Sequence, residues 1–349
     1  MSILEAILQG IVQGLTEFLP VSSSGHVSLV QHFLGVDLEG AQTFTLFLHF
    51  GTLLAVFLVY RKLIWDLICE GCRAIADLFL DIVDLFRKGK GKFKPRFTLK
   101  MDRINDDRRM VFAVILASAC AILLFLPLFG GLGLTDTAGE EVKTLADVSG
   151  YTSEDRDIVV EGICLLGTGV LLLAATSIAN RRRNSAVKAR GYVDYKTAAV
   201  MGVGQCFAAM PGLSRSGTTT TLGMICGTEK NAALQFSFIM SIPAVLAANV
   251  LEVVKMDSAG WAEFEAVPTI LGIVVAAVSG VLAIAGLKWI VSNDKLNYFG
   301  YYCLVVGAII VAIGIAEHAS GVYGADFFRV LFGGEVAQPV AGPNPNFQL

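Results

Sequence analysis

The chain has 349 residues, 54% of them hydrophobic and only 16% charged, with a formal net charge of −3. Its mean hydropathy is +0.65. A soluble fold of this length needs more polar surface, so the composition excludes that class and points to a polytopic membrane protein. No Walker-type loop, paired zinc motif or nucleic-acid module is present. The seven cysteines lack histidine partners at zinc spacing, and Cys69-Glu-Gly-Cys72 reads as an incidental CxxC. The N-terminus has no basic region followed by a cleavage site, and is read as mature sequence.

In chain order, residues 2–36 are apolar but interrupted by Pro, Gly and a polar cluster, which predicts a re-entrant helix pair. A span follows at 43–60, then charged residues among helically spaced apolar ones at 62–90, expected to form a pair of cytoplasmic surface helices. Gly89–Arg96 is a basic loop. Spans are predicted at 110–129 and 158–179, separated by an acidic loop at 130–157. A second interrupted region, 195–228, predicts a second re-entrant pair, followed by spans at 234–254, 267–287 and 298–316. Each of the six spans approaches the roughly 20 residues that cross a bilayer. Irregular backbone at that depth survives only when buried in protein or facing a wet cavity.

Lysine and arginine number thirteen in 61–109 and six in 180–197, against two in 130–157 beside seven acidic residues. The positive-inside rule places the first two segments in the cytoplasm and the acidic loop, with both termini, outside. Each half is then one re-entrant pair plus three crossings, and an odd number of crossings inverts the second half. The expected fold is an all-α polytopic membrane protein built as an inverted repeat: 1–190, then 191–320, then an external tail at 321–349. The two hairpins are expected to enter from opposite leaflets and meet near the midplane.

The polar clusters support the duplication. Shifting Gly10, Gln13, Ser22, Ser24 and Gly25 by 192 positions superimposes them on Gly202, Gln205, Ser214, Ser216 and Gly217. Hydroxyls and charges at membrane depth are costly, so a duplicated cluster suggests a site at the repeat interface. Arg215 is the lone arginine of the embedded regions; its planar fork matches phosphate oxygens and stays charged. Glycines beside it let backbone N–H groups approach an anion, the following helix adds its positive end, and Thr218 and Thr219 offer hydroxyls. A plain Arg215–Glu17 pair joining the hairpins is the structural alternative. In the first cluster Gln13 and Glu17 share a helix face. Ser22, Ser23 and Ser24 follow Pro20, and His26 lies two residues on. A serine needs a base to become a nucleophile, which histidine or glutamate can supply; one of the three serines is expected to cap a helix. A carboxylate beside Gln13 can also hold a divalent cation. Glu161, near a span end, reads as interfacial, and His49 and Asn249 as helix-to-helix hydrogen-bonding residues.

Gln13-Gly-Leu-Thr-Glu17-Phe-Leu-Pro20-Val-Ser-Ser-Ser-Gly-His26 and Pro211-Gly-Leu-Ser-Arg-Ser-Gly217 resemble the two signature motifs of the undecaprenyl-diphosphate phosphatase family, the bacitracin-resistance type. The likeness extends from residue 1 to about 316. It implies hydrolysis of a polyprenyl diphosphate carrier lipid to the monophosphate for cell-wall synthesis, in the cytoplasmic (inner) membrane, by a homodimer. It implies active-site positions at Glu17, Ser23, His26, Ser214, Arg215 and Thr219, with Ser23 the expected nucleophile, His26 or Glu17 its base and Arg215 the diphosphate clamp. Gln13, Ser22, Ser24, Ser216 and Gly217 complete the expected binding set. The family's divalent cation, Mg²⁺ or Ca²⁺, would rest on Glu17. Gln13 stands where the family often has Glu, which weakens that metal site, and the acidic loop is longer than usual. The rival reading is a polyprenyl-phosphate transporter using the same inverted-repeat site.

Overall fold

Helix α1, Ile3–Phe18, opens with a capping box: the Glu5 backbone N–H donates to Ser2 Oγ at 3.2 Å, and the Ser2 N–H to Glu5 Oε2 at 2.9 Å. Its faces are reversed relative to a water-soluble helix. Leu4, Leu8, Ile11 and Leu15 are exposed, whereas Gln9, Gly10, Gln13, Gly14 and Glu17 are buried. Lipid solvates the apolar stripe, so the small and polar face turns inward. Leu19 and Pro20 end the helix, and α2, Ser23–Leu34, completes the first hairpin.

The computed structural model describes residues 2–34, 38–87, 95–100, 104–125, 144, 158–183, 189–255 and 265–331. Apart from Thr144 the loop expected at 130–157 lies outside these residues, as do most of the basic loop and the tail beyond 331. Helix α3, Leu38–Arg87, contains the span at 43–60 and continues past one non-helical residue, Tyr60 (φ −107°, ψ 18°). A single helix therefore stands where a surface pair was expected at 62–90. Between Arg61 and Arg87 the sequence holds one glycine and no proline, so nothing breaks it. Its acidic stripe docks the returning chain. Arg108 donates to Glu70 at 2.6 Å and Asp77 at 2.8 Å, and the Arg96 and Phe97 backbone N–H groups to Asp81 at 3.0 and 2.8 Å.

Of the span expected at 110–129, residues 126–129 lie outside the described residues. Helix α4, Asp106–Ala119, tightens into a 3₁₀ turn at Cys120–Phe125. Helix α5 (Ile158–Arg183) precedes the second hairpin, α6 (Tyr195–Phe207) and α7 (Arg215–Ile225). Helices α8 (Lys230–Lys255), α9 (Ala266–Ser292), α10 (Asn297–Ser320) and the short α11 (Ala325–Leu331) follow. Among the described residues no β-strand forms, and five helices (α3, α5, α8, α9 and α10) are long and apolar enough to cross a bilayer. The chain is an all-α multi-pass membrane protein.

Small residues set how closely these helices pack. A Cβ on Gly14 of α1 would lie 2.0 Å from Ser279 Oγ and 2.4 Å from the Ala276 carbonyl oxygen of α9. One on Gly300 of α10 would lie 3.2 Å from the Gly169 carbonyl oxygen of α5. Without a hydrophobic force between helices in lipid, such close backbone approach supplies the packing energy. Helix α1 lies on α9 as α6 lies on α4, α3 meets α9 as α8 meets α4, and α3–α8 and α5–α10 pair with each other.

Overpacking such a crossing costs about 1–3 kcal/mol. Gly14→Leu is expected to lower the thermal unfolding midpoint in detergent. Gly286→Leu, where an added Cβ meets nothing within 4 Å, is expected to leave it unchanged.

Candidate active site

The two hairpin tips interlock. Ser216 Oγ donates to the Leu19 carbonyl at 3.1 Å, and a Cβ on Gly25 would lie 3.1 Å from Gly212 Cα. Each tip repeats one hydrogen-bonded device. Ser22 Oγ accepts from the Gly25 N–H at 3.3 Å and lies 3.3 Å from Ser24 Oγ. Ser214 Oγ accepts from the Gly217 N–H at 3.1 Å and lies 3.3 Å from Ser216 Oγ. Ser22 and Ser214 thus cap α2 and α7 through their first N–H groups.

Between these serines sit Ser23 and Arg215, equivalent under the 192-residue offset, and both reach Glu17. Ser23 Oγ donates to Glu17 Oε2 at 2.6 Å, and the Arg215 guanidinium pairs with Glu17 Oε1. Gln13 Nε2 donates to Oε2 at 2.9 Å from the preceding turn of α1. Glu17 is 7% exposed, so this shell replaces the hydration that burial removes. The departure at position 13 has a local rationale: glutamate would set a second negative charge beside Glu17, whereas the amide supplies a donor.

These groups floor a cavity of about 610 Å³ whose walls include Leu46, Ala244, Val245 and Ala248. Ser22, Ser24, Ser214 and Ser216 line it as well. Gln13, Gly217 and Thr219 stand behind it: Thr219 is fully buried, donating to the Arg215 carbonyl at 2.8 Å and meeting Ser237 Oγ at 2.6 Å. His26 is not among the lining residues. Its Nδ1 lies 2.8 Å from the Ser22 carbonyl and its Nε2 2.8 Å from Tyr302 Oη. Because a carbonyl only accepts, Nδ1 carries the proton and Nε2 accepts from the tyrosine. Both ring nitrogens are committed away from Ser23, and Glu17 is the carboxylate in contact with it.

His49, read from the sequence as a helix-to-helix contact, also lines the cavity. On α3 its Nδ1–H donates to the Thr45 carbonyl at 2.9 Å, leaving Nε2 3.5 Å from Glu17 Oε2 at the cavity wall. The available signal was that an ionisable side chain within a span is a functional candidate by default. Glu161, in the first turn of α5, is buried and accepts from Ser28 Oγ at 3.0 Å, bracing α5 against α2.

The cation expected on Glu17 fits these residues poorly. Glu17's oxygens already receive Arg215, Ser23 and Gln13. Among the described residues no three His, Cys, Asp or Glu side chains gather to hold a metal ion.

The family profile described as "Bacitracin resistance protein BacA" matches residues 6–309. The chain belongs to this family. It is 36% identical over 315 residues to a protein of Alkaliphilus metalliredigens named undecaprenyl-diphosphatase, covering 90% of this chain and 100% of that one. A protein of the same name from Methanobrevibacter smithii is 37% identical over 319 residues, covering 91% of this chain and 99% of its own. One from Treponema denticola is 34% identical over 307 residues, covering 88% and 96% respectively.

Removing one partner of the BacA-type Arg215–Glu17 pair strands a charge away from water. Arg215→Ala and Glu17→Ala are each expected to lower stability in detergent, and the double variant by less than their sum. A double-mutant cycle on unfolding midpoints should give a coupling of about 1–3 kcal/mol.

Proposed function

We infer that this membrane protein is an undecaprenyl-diphosphate phosphatase, releasing phosphate from the lipid diphosphate and leaving the monophosphate. The observation that carries the reading is one buried carboxylate shared by the Ser23 hydroxyl and the Arg215 guanidinium, at the floor of an apolar-walled cavity. A substrate with a charged head and a hydrocarbon tail needs both parts.

Ser23 attacks the terminal phosphorus. Its oxygen forms the new P–O bond, its proton passes to Glu17 Oε2, and the bond from phosphorus to the bridging oxygen breaks, releasing the lipid monophosphate. Water then attacks the phosphoserine, returning Ser23 and inorganic phosphate. Glu17 takes the first proton and orients the water, as a general base does. Arg215 has five donors, enough to keep Glu17 and still hold phosphoryl oxygens as charge builds. The α7 N-terminus points the same way, and Arg182 and Arg190 cap its far end by donating to the Met224 and Cys226 carbonyls at 2.9 and 2.8 Å.

The finer parts of the reading have their own support. The inverted repeat is supported by the 192-residue offset, the paired serine devices and the exchanged helix contacts. Charge asymmetry supports termini and cavity mouth on the external side, with hydrolysis outside a cytoplasmic (inner) membrane. The homodimer and the part in cell-wall synthesis and bacitracin resistance follow the family likeness. With Glu17 already accepting from Arg215, Ser23 and Gln13, a Mg²⁺ or Ca²⁺ ion would need the diphosphate's own oxygens to hold it and would supply neutralisation of their charge. A polyprenyl-phosphate carrier would need the anion donors but no hydroxyl hydrogen-bonded to a carboxylate, so the Ser23–Glu17 contact favours hydrolysis.

Purified protein in detergent, where no second compartment exists, is expected to release phosphate from a polyprenyl diphosphate. Ser23→Ala should lose this by about 10³-fold or more while keeping its unfolding midpoint. Acid quenching of wild type should trap a phosphoryl group on Ser23; turnover by Ser23→Ala at the wild-type rate would remove the nucleophile. For the cation, Mg²⁺ or Ca²⁺ alone is expected to leave the midpoint unchanged, and a rise on metal addition without lipid would restore a resident site.

A further inference from the structure

The two tip turns are built from equivalent residues but differ at one backbone angle. In the second hairpin the left-handed position is Gly212 (φ +84°), and Ser214 is ordinary extended backbone at φ −66°, ψ 116°. In the first hairpin the position equivalent to Gly212 is Pro20, whose ring fixes φ near −65°. The left-handed residue is instead Ser22, at φ +70°. A residue with a Cβ resists that conformation, and it persists only where its surroundings hold it.

Groups from two helices hold it. The Ser22 carbonyl accepts the His26 backbone N–H at 3.2 Å and the His26 Nδ1–H at 2.8 Å. Tyr302 of α10 donates to His26 Nε2 at 2.8 Å, with the two rings stacked 5.8 Å apart at 14°. The second hairpin has no counterpart to this clamp. Its equivalent residue, Thr218, bonds the Ser214 carbonyl through its backbone N–H alone, at 2.8 Å, and its hydroxyl is unpartnered.

We propose that Tyr302 and His26 are positioning residues. Together they hold Ser22 in its left-handed turn, which aims the next residue, Ser23, at Glu17. This rests on the reading of Ser23 as nucleophile. It assigns His26 a role through Ser22 and gives Tyr302, on another helix, a share in the site.

The test measures kcat and KM for phosphate release in detergent, in a preparation whose wild type turns over and whose Ser23→Ala does not. Silence of wild type would sink the phosphatase reading itself. Tyr302→Phe removes the donor but keeps the ring, and His26→Gln removes the imidazole. Both are expected to lower kcat with KM within about twofold, His26→Gln by about 10²-fold, the scale of a small misplacement of reacting groups. The decisive arm repeats both substitutions with Ser22→Gly or Ser22→Asn. Glycine adopts the turn freely, and asparagine tolerates it while keeping an acceptor for the Gly25 N–H. Either is expected to return kcat at least about tenfold relative to the clamp variant alone, with the shape of the pH–rate profile unchanged throughout. Failure of both to restore kcat, or loss of one limb of the pH–rate profile in His26→Gln, would overturn the proposal. The first result would detach the clamp from the turn, and the second would put His26 on the reacting atoms.

Discussion

A single ionised carboxylate in a water-poor interior dictates much of the arrangement around it. Stripped of hydration, Glu17 would be worth several kcal/mol of destabilisation unless paired and hydrogen-bonded. Its partners come from distant places: Gln13 from its own helix, Ser23 from the next, His49 from α3 and Arg215 from the other half of the chain. Meeting that demand brings the two hairpin tips together, and the proposed chemistry uses the resulting contact. In that proposal the hydroxyl on the carboxylate is the nucleophile with its base, and the guanidinium on the same carboxylate is the anion site beside it.

Close approach of the tips depends on helices that pack through glycine and serine. The crossing of α1 on α9 at Gly14 and Ser279 leaves no space for a side chain, and Ser279 Oγ returns a hydrogen bond to the Gly10 carbonyl at 3.3 Å. Were α1 held at an ordinary side-chain distance, Glu17 at its end would retreat from Arg215. In lipid, where apolar surface gains nothing by meeting apolar surface, such small-residue contacts position the Glu17 end of the helix.

Much of this was legible in the sequence because the membrane makes polar residues conspicuous. Five of the six expected spans are long crossing helices, and the two clusters led to Glu17, Ser23 and Arg215. What escaped depended on direction and continuity rather than composition. Position 26 marks a histidine near three serines, but only the fold reveals that Ser22 and Tyr302 occupy both its nitrogens. His49 reads as a helix-to-helix contact, but the sequence does not say to which helix; its partner is thirty-two residues away on α1. Charges at 62–90 suggested separate surface helices, yet without a breaker the α3 backbone runs on, its carboxylates matched to Arg96 and Arg108. Glu161 sits near a span end in sequence, but a neighbouring hairpin covers it.

The two tips share one hydrogen-bonded turn but carry different side chains at its centre. Copies of one turn would present two identical side chains to a shared centre, and two arginines or two serines on one carboxylate would give either a clamp or a nucleophile. Here the same slot carries serine in one tip and arginine in the other, so a single carboxylate meets both side chains. The asymmetry has a backbone cost. Proline stands in the first turn where the second has glycine, and there the left-handed residue is the one before Ser23. A strained residue adjacent to a reacting group must be fixed from outside its own turn, and the stacked His26–Tyr302 pair, reaching in from α10, is the contact that does so.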